Sequence, residues 1–146
     1  LRCGWPAADT GWLPMLAAVA TIRALADVGV SEARVKPPND IMTARGKIAG
    51  ILTEPRLQNS RVEFAVLGVG INVAHDESDL AVAGLRGRAS SCRQEGVVVT
   101  IADVAAAWLA RFDALYHPEP LSPAERCAVM EAWRAAGGPP EVPGWR

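Results

Sequence analysis

The stretch from Arg34 to Glu54, RVKPPNDIMTARGKIAGILTE, decides the fold of this chain. Pro37 pushes Lys36 into an extended conformation, because its ring clashes with helical backbone in the preceding residue. The extended run resumes after the prolines, residues 43–46 form a tight-turn pattern, and residues 47–52 form a second strand. That strand is apolar on both faces, which predicts a position at the centre of a sheet rather than at its edge.

Lys47 is out of place at the start of that apolar strand. A solvated lysine at a strand end is one interpretation. A ligand-binding lysine is the other, and Gly50 favours it, because a glycine inside a strand often marks a close approach of a ligand. The polar residues that flank this hairpin are Lys36, Asn39, Asp40 and Lys47. We predict that they converge on one anionic group.

A second glycine-containing segment, GVGINV at residues 68–73, ends the next predicted strand. It lacks the third glycine of a dinucleotide fingerprint, since Val73 stands there, and no helix pattern opens after it. Two glycines and Asn72 fit a strand that ends against a flat ligand. Adenine is such a ligand, because an amide can pair with its donor and acceptor edge. The alternative is that Asn72 caps its own turn.

Three motifs in this order resemble the catalytic domain of biotin–protein ligases. They are KPPNDI at residues 36–41, GKIAGIL at residues 46–52, and GVGINV. The family pattern is KWPND, a short turn, K(L/I)AGIL, and then G(I/V)G(I/L)NV. The resemblance covers roughly residues 14–116. Its one departure inside the motifs is Pro37, where the family usually carries tryptophan.

The resemblance implies an α/β (α+β) fold with a mixed, largely antiparallel sheet covered by helices. This is the class II synthetase-like fold of the biotin and lipoate ligases, here in partial form. It also implies an enzyme that activates biotin with ATP to biotinyl-AMP and transfers biotin to a lysine of a carboxylase's biotin-carrier domain. The implied ligands are ATP, biotin and Mg²⁺, and the implied compartment is the cytoplasm. A homodimer is left open.

The resemblance also assigns roles to individual residues. Lys47 matches the lysine that stabilises charge on the phosphoryl and acyl oxygens, and Asp40 would orient the incoming lysine or a ribose or metal group. The remaining assignments are Lys36, Asn39 and Gly50 with Lys47 for biotin and phosphate, and Asn72 with Gly70 for adenine. No residue is assigned to bind a metal directly.

The family's biotin loop, Gly-Arg-Gly-Arg-x-Gly, normally precedes the first motif. The run at residues 86–88, Arg-Gly-Arg, follows it and lacks the glycine frame, so we predict a solvated loop there. Two alternatives therefore stand beside the biotin ligase. One is a lipoate or octanoyl ligase-like relative, against which the Asn-Asp and Gly-Ile-Asn motifs argue. The other is a non-catalytic remnant or binding module of the same fold.

Composition limits the classes of function. The 146 residues are half apolar with a formal net charge of −1, which suits one domain with a core and gives no basis for nucleic-acid binding. No apolar run is long enough to span a membrane. Three widely spaced cysteines suggest a reducing intracellular compartment. The first residue is Leu1 rather than Met, so we expect the chain to begin inside a longer reading frame.

The rest of the chain is predicted to be scaffold. Helices are expected at residues 14–28, 101–116 and 122–137, the last two opened by capping boxes. We predict that the apolar stripe of the second helix, which includes Ala105 and Leu109, lies in the core. Residues 55–60 are predicted as a polar turn, and residues 75–96 as the least structured part. The domain is expected to span residues 1–138, and residues 139–146 to form a loose tail.

Overall fold

A computed structural model describes residues 1–140, so the end of the predicted tail, residues 141–146, lies outside the described residues. The strands are β1 (Arg34–Lys36), β2 (Asp40–Thr43), β3 (Gly46–Gln58) and β4 (Arg61–Ile71). The helices are α1 (Trp12–Asp27), α2 (Glu77–Val82), α3 (Ile101–Asp113) and α4 (Pro123–Ala135), and a short 3-10 turn covers Ala7–Asp9.

The four strands form one antiparallel sheet in the order β1-β2-β3-β4. The predicted fold class is confirmed, as is the central position of the strand that begins at Lys47. The hairpin between β3 and β4 places Gly50 directly opposite Gly70. One isolated parallel bridge, between Lys47 and Ala89, brings a later loop against the start of β3.

The polar turn predicted at residues 55–60 is wrong, because β3 continues as far as Gln58. Pro55 is tolerated inside the strand because the backbone N–H and carbonyl of Ala65, the register partner of Pro55 on β4, point away from β3. The Ala65 N–H donates to the Leu1 carbonyl at 2.9 Å, and the Leu1 ammonium donates to the Ala65 carbonyl at 2.8 Å. The missing N–H of Pro55 therefore removes no bond between β3 and β4. The chain turns instead at Asn59 and Ser60, which both have positive φ.

The core lies between one face of the sheet and the helices. α1 is its centre, with Leu13, Leu16 and Leu25 fully buried, and it packs on both α3 and β3. Within residues 1–140, no helix is long and apolar enough to cross a membrane. Cys3, Cys92 and Cys127 are all free thiols.

The helix predictions hold for three helices and fail for one. Both predicted capping boxes are present, at Thr100 with Asp103 and at Ser122 with Glu125. α2 lies in the segment predicted to be least structured, and Asp76 caps it through a further capping box. The helix was not predicted because its six residues are too few to show an apolar period, so that the acidic cap is the main signal in the sequence.

The predicted core stripe of α3 is only partly correct. Val104 and Phe112 are buried, but Ala105 is exposed and Leu109 is 62% exposed. Both line a groove between α3 and the inner side of β4 at Leu67. The sequence period identifies the apolar face of a helix, but the neighbouring elements decide how much of that face is covered.

The face of the sheet away from the helices is open. Leu52, Val66 and Phe64 are 59%, 53% and 40% exposed, respectively. Below, "outer face" refers to this side of the sheet.

Candidate functional site

A β-bulge turns Lys47 onto the outer face. Strict alternation would place Lys47 on the same side as Ala49 and Ile51, which are buried under the helices. The register between β2 and β3 instead shifts by one residue, so that Ile41 pairs with Ala49 and the next residue, Met42, pairs with Lys47. Ile48 is the extra residue of the bulge and is fully buried. The bulge therefore buries an isoleucine and leaves the lysine on the open side.

The ammonium group of Lys47 meets Asp40 on the adjacent strand, with Nζ 2.5 Å from Oδ1. The two side chains are 43% and 22% exposed, so both remain accessible to a ligand. Gly50 makes room for this arrangement, because a Cβ there would lie 3.2 Å from both Cε and Nζ of Lys47. The ion pair fixes the position of the ammonium group before any ligand arrives.

Gly50 and Gly70 lie side by side in the register and form a floor without side chains. A Cβ at Gly70 would meet no atom within 4 Å. Above this floor is an open cavity of about 790 Å³. The residues that line it are Lys36, Asp40, Met42, Gly46, Lys47, Ala49, Gly50, Gly70, Ile71, Asn72, Leu85, Gly87, Arg88 and Ala89.

Six of the seven predicted site residues line this cavity, and Asn39 does not. Asn39 lies exposed in the turn after the Pro37–Pro38 peptide bond, which is cis. Its backbone carbonyl accepts the Ile51 N–H at 2.9 Å. Asn39 therefore contributes to the hairpin through its backbone.

The side chain of Asn72 joins segments that are distant in sequence. Its Nδ2 donates to the Ser90 carbonyl at 2.9 Å and more weakly to the Lys47 carbonyl at 3.4 Å. These bonds occupy the two hydrogens of the amide and leave Oδ1 as the group for a ligand. The alternative that Asn72 caps its own turn does not describe these contacts.

The loop at residues 85–91 forms the opposite wall of the cavity and is docked on Lys47 through backbone bonds. The Lys47 N–H donates to the Arg88 carbonyl, and the Ser90 N–H donates to the Lys47 carbonyl, both at 2.9 Å. Gly46 permits this contact, because it has a φ of 145° and a Cβ there would lie 2.7 Å from the carbonyl carbon of Arg88. Only glycine fits such a position.

Glu95 ties the same loop to the end of β2. Its Oε1 accepts a bond of 2.6 Å from the Thr43 hydroxyl and a shorter one from the Ser90 hydroxyl. Ser90 is fully buried, so this carboxylate satisfies a hydroxyl that water cannot reach. Sequence reasoning missed Glu95, because its partners lie 52 and 5 residues away in no recognisable pattern.

Within residues 1–140, the charged residues that line the cavity are Lys36, Lys47 and Arg88, with Asp40 as the single anion. This excess of positive charge suits an anionic ligand, although the whole chain carries a net charge of −1. The prediction of a solvated loop at residues 86–88 is confirmed, since all three residues are exposed and lie in a turn, and Gly87 and Arg88 in addition line the cavity. The sequence shows this basic, glycine-containing segment, but its position beside the cavity depends on the tertiary structure.

The described residues form neither a metal site nor a reactive thiol at this cavity. Among the described residues, no group of three or more His, Cys, Asp or Glu side chains could hold a metal ion. The thiol nearest this loop is Cys92, which is fully buried, and burial raises its pKa. A buried neutral thiol is a poor nucleophile. The cavity therefore offers cations, an amide oxygen and a flat backbone floor.

Part of the sequence is similar to known ligases. No protein-family model matches the chain. Over 79 residues the chain is 37% identical to the bifunctional ligase/repressor BirA of Bacillus subtilis, an alignment that spans 54% of this chain and 24% of the relative. Over 71 residues it is 39% identical to the biotin–[acetyl-CoA-carboxylase] ligase of Mycobacterium tuberculosis, spanning 47% of this chain and 25% of that protein.

Comparison with solved structures finds the same fold. The biotin protein ligase of Leishmania major in complex with biotin has a TM-score of 0.58 at 23% identity, covering 85% of this chain and 52% of that one. The Aquifex aeolicus biotin protein ligase in complex with biotin and ATP has a TM-score of 0.56 at 23% identity, covering 73% and 43%. A bi-partite lipoate protein ligase of Thermoplasma acidophilum has a TM-score of 0.55 at 18% identity, covering 86% and 54%.

The fold is thus that of the biotin and lipoate protein ligases. The chain spans about a quarter of the length of the curated relatives and about half of the solved chains. The resemblance to biotin–protein ligases that the three motifs indicated is therefore confirmed in both sequence and fold.

Proposed function

We propose that this chain carries the nucleotide and phosphate side of a biotin–protein ligase active site. One observation carries the proposal: the Lys47–Asp40 ion pair stands beside the Gly50–Gly70 floor in a cavity with an excess of positive charge. The three motifs that resemble the ligases supply these residues. The curated relatives named as ligases support the same reaction class.

The proposed reaction has two steps. A carboxylate oxygen of biotin attacks the α-phosphorus of ATP, and pyrophosphate leaves as biotinyl-AMP forms. The amine of a lysine on a biotin-carrier domain then attacks the acyl carbon of that anhydride, loses a proton and releases AMP. Negative charge develops on phosphoryl oxygens in the first step and on the acyl oxygen in the second. Lys47 is the group that stabilises both, because its ammonium is already positioned by Asp40.

The adenine is proposed to lie over Gly70, with Asn72 at its edge. A planar ring can approach a glycine backbone more closely than any side chain allows. Asn72 retains Oδ1 as an acceptor, which fits the exocyclic amino group of adenine. In this arrangement Asn72 reads one edge atom of the base and also ties the loop at Ser90 to Lys47.

Magnesium is proposed to accompany the nucleotide. Among the residues that the structure describes, Asp40 is the single carboxylate lining the cavity, and Mg²⁺ is commonly held by one or two carboxylates together with substrate phosphates. The donor set of the described residues thus fits an ion carried mainly by ATP. The ion would neutralise phosphate charge, while Lys36 and Lys47 contribute fixed charge of their own.

A lipoate ligase-like activity is the second candidate, because a lipoate protein ligase shares this fold at a similar TM-score. The Asn39–Asp40 pair and the Gly70–Asn72 segment favour biotin, since these are the residues that resemble the biotin ligase motifs. Offering biotin and lipoate separately to an active form of the protein distinguishes the two. Adenylate formed from lipoate alone would reverse the preference.

The Gly70 floor is tested by Gly70→Ala, with Gly68→Ala as the matched control. Both glycines lie on the outer face of β4, but only Gly70 lines the cavity. A Cβ at Gly70 meets no protein atom within 4 Å, and one at Gly68 meets only Leu52 at 3.9 Å. We therefore expect both variants to keep the fold, and calorimetric titration to show weaker ATP binding by Gly70→Ala alone. Unchanged ATP affinity in Gly70→Ala would contradict the proposed position of adenine.

A further inference from the structure

The geometry points to Arg88 as a further phosphate-binding residue beside Lys36 and Lys47, supplied to the cavity by the loop at residues 85–91. This inference rests on the proposed function and adds a residue to it. Arg88 lies outside the three motifs that resemble the ligases, and its position follows from contacts in the tertiary structure alone.

Arg88 is held next to the start of β3. Its carbonyl oxygen accepts the Lys47 N–H at 2.9 Å, and the following residue, Ala89, forms a parallel bridge with Lys47. Arg88 also lines the cavity that contains Lys47 and Lys36. The backbones of Lys47 and Arg88 are thus joined by one hydrogen bond. Because this distance is short compared with the length of a lysine or arginine side chain, both side chains can reach the same ligand.

Several contacts hold the loop in this position. The Ser90 carbonyl accepts from Asn72, the Ser90 hydroxyl donates to Glu95, and Ser90 itself is fully buried. Within the loop, the N–H groups of Arg88 and Ala89 both donate to the Leu85 carbonyl. The backbone under Arg88 is therefore fixed with respect to Lys47. Such preorganisation reduces the entropy lost when a ligand is bound.

The charge of Arg88 is uncommitted within residues 1–140. Lys47 is paired with Asp40 at 2.5 Å, and Arg86, two residues before Arg88, lies 3.4 Å from Glu77. Arg88 makes no such ion pair among the described residues. A guanidinium presents several donors in a planar fork that matches two phosphate oxygens. Arg88 thus complements Lys47, whose ammonium is a point charge already shared with a carboxylate.

The test compares Arg88→Ala and Arg88→Lys with the control Arg86→Ala in the full chain. Arg86 has the same charge in the same loop but does not line the cavity. Each variant is titrated calorimetrically with ATP, adenosine and inorganic tripolyphosphate. We expect Arg88→Ala to bind ATP and tripolyphosphate roughly 10- to 100-fold more weakly, the usual effect of losing a hydrogen bond to a charged group. Adenosine affinity should be unchanged, and Arg88→Lys should recover part of the loss.

Three results would overturn the inference. The first is unchanged ATP affinity in Arg88→Ala, and the second is an equal loss for ATP and adenosine, which would make Arg88 structural. The third is an equal loss in Arg86→Ala, which would indicate a general effect of charge. If tripolyphosphate binds in an Arg88-dependent manner while ATP and adenosine do not bind, the anion site stands and the proposed nucleotide function fails. If the unmodified chain binds neither ATP nor tripolyphosphate, both fail.

Discussion

At the scale of single residues, the exposure of Lys47 depends on the β-bulge in β3. A strand that is otherwise apolar must present one cation to solvent without burying it. The bulge at Ile48 satisfies both demands, since it buries the isoleucine and directs the lysine to Asp40. Exposed ion pairs contribute little to stability, so Asp40 is better understood as orienting the ammonium than as holding the fold together.

We expect Lys47→Ala, in a version of the protein that forms adenylate, to slow adenylate formation about 100-fold, because removing one preorganised donor costs on the order of 3 kcal/mol. The fold should be retained, since Lys47 is partly exposed. Pyrophosphate release at saturating biotin measures the effect. Arg45→Ala, an exposed residue of the neighbouring turn that does not line the cavity, is the control. A Lys47→Ala rate within a few-fold of the parent would remove this lysine from the mechanism.

Asn72 shows how one residue serves both fold and site. Its Nδ2 bonds hold Ser90 and Lys47 together, which places the Arg88 loop over the cavity. Its remaining oxygen is the only part of the amide free for a base. Sequence reasoning identified the residue, but not this division of its hydrogen-bonding groups, because both partners are backbone atoms far away in the chain.

At the scale of elements, local signals predicted well where the interaction spans a few residues. The capping boxes of α3 and α4 and the turn at residues 43–46 all involve groups at most four positions apart. The end of β3 could not be predicted in this way. Pro55 has no backbone N–H and so indicates a strand end unless its nitrogen faces away from the neighbouring strand, and only the register with Ala65 reveals that it does.

The link between β2 and the cavity loop is tested by Thr43→Val. This change removes the hydroxyl that donates to Glu95 and that also makes two longer bonds within the turn, to the Gly46 carbonyl and from the Arg45 N–H. It should lower the free energy of unfolding by about 1–2 kcal/mol, chiefly because a partly buried carboxylate loses a donor. Thr53→Val is the matched control. The Thr53 hydroxyl oxygen is buried and has no hydrogen-bond partner among the described residues, so its replacement should be neutral or stabilising. Urea unfolding measures both variants, and equal losses would show that Glu95 does not depend on Thr43.

At the scale of the whole molecule, the main feature is the outer face of the sheet, which no helix within residues 1–140 covers. Leu52, Phe64 and Val66 lie on neighbouring strands and are exposed together. An apolar patch of this kind commonly marks a contact surface or a tendency to associate. The solved ligases that share the fold are about twice as long as the region matched here.

We expect residues 1–146 by themselves to bind nucleotide but to form no biotinyl-AMP at a useful rate, and to associate through the outer face. The Gly-Arg-Gly-Arg-x-Gly pattern of the family's biotin loop does not occur in this sequence. Holding both substrates in place supplies about 7–11 kcal/mol of the barrier in such reactions, and the cavity at Lys47 is proposed to hold the nucleotide and phosphate side.

Incubation of the pure chain with radiolabelled ATP, biotin and a carrier domain measures this directly, and sedimentation reports association. Leu52→Ser and Val66→Ser together provide a variant with a less apolar outer face, in which association should decrease. Rapid formation of labelled adenylate would contradict the expectation. It would mean that biotin is bound by residues 1–146 alone, with Arg86 and Arg88 the first to test.

The sequence by itself determined the order of the strands and of α1, α3 and α4, the capping boxes of α3 and α4, and the three motifs that carry most of the site. These depend on backbone preferences and side-chain periods that act over a few residues. The tertiary structure alone decided which side of the sheet Lys47 faces, because a one-residue bulge reverses the alternation of a strand. It also decided that Arg88 lines the cavity, because loop 85–91 is docked by hydrogen bonds to Lys47 and to Asn72, the latter 18 positions from Ser90. Glu95 supports that loop through a bond from Thr43, 52 positions away. Contacts over such separations leave no period in the sequence, and they form only when the sheet brings the segments together.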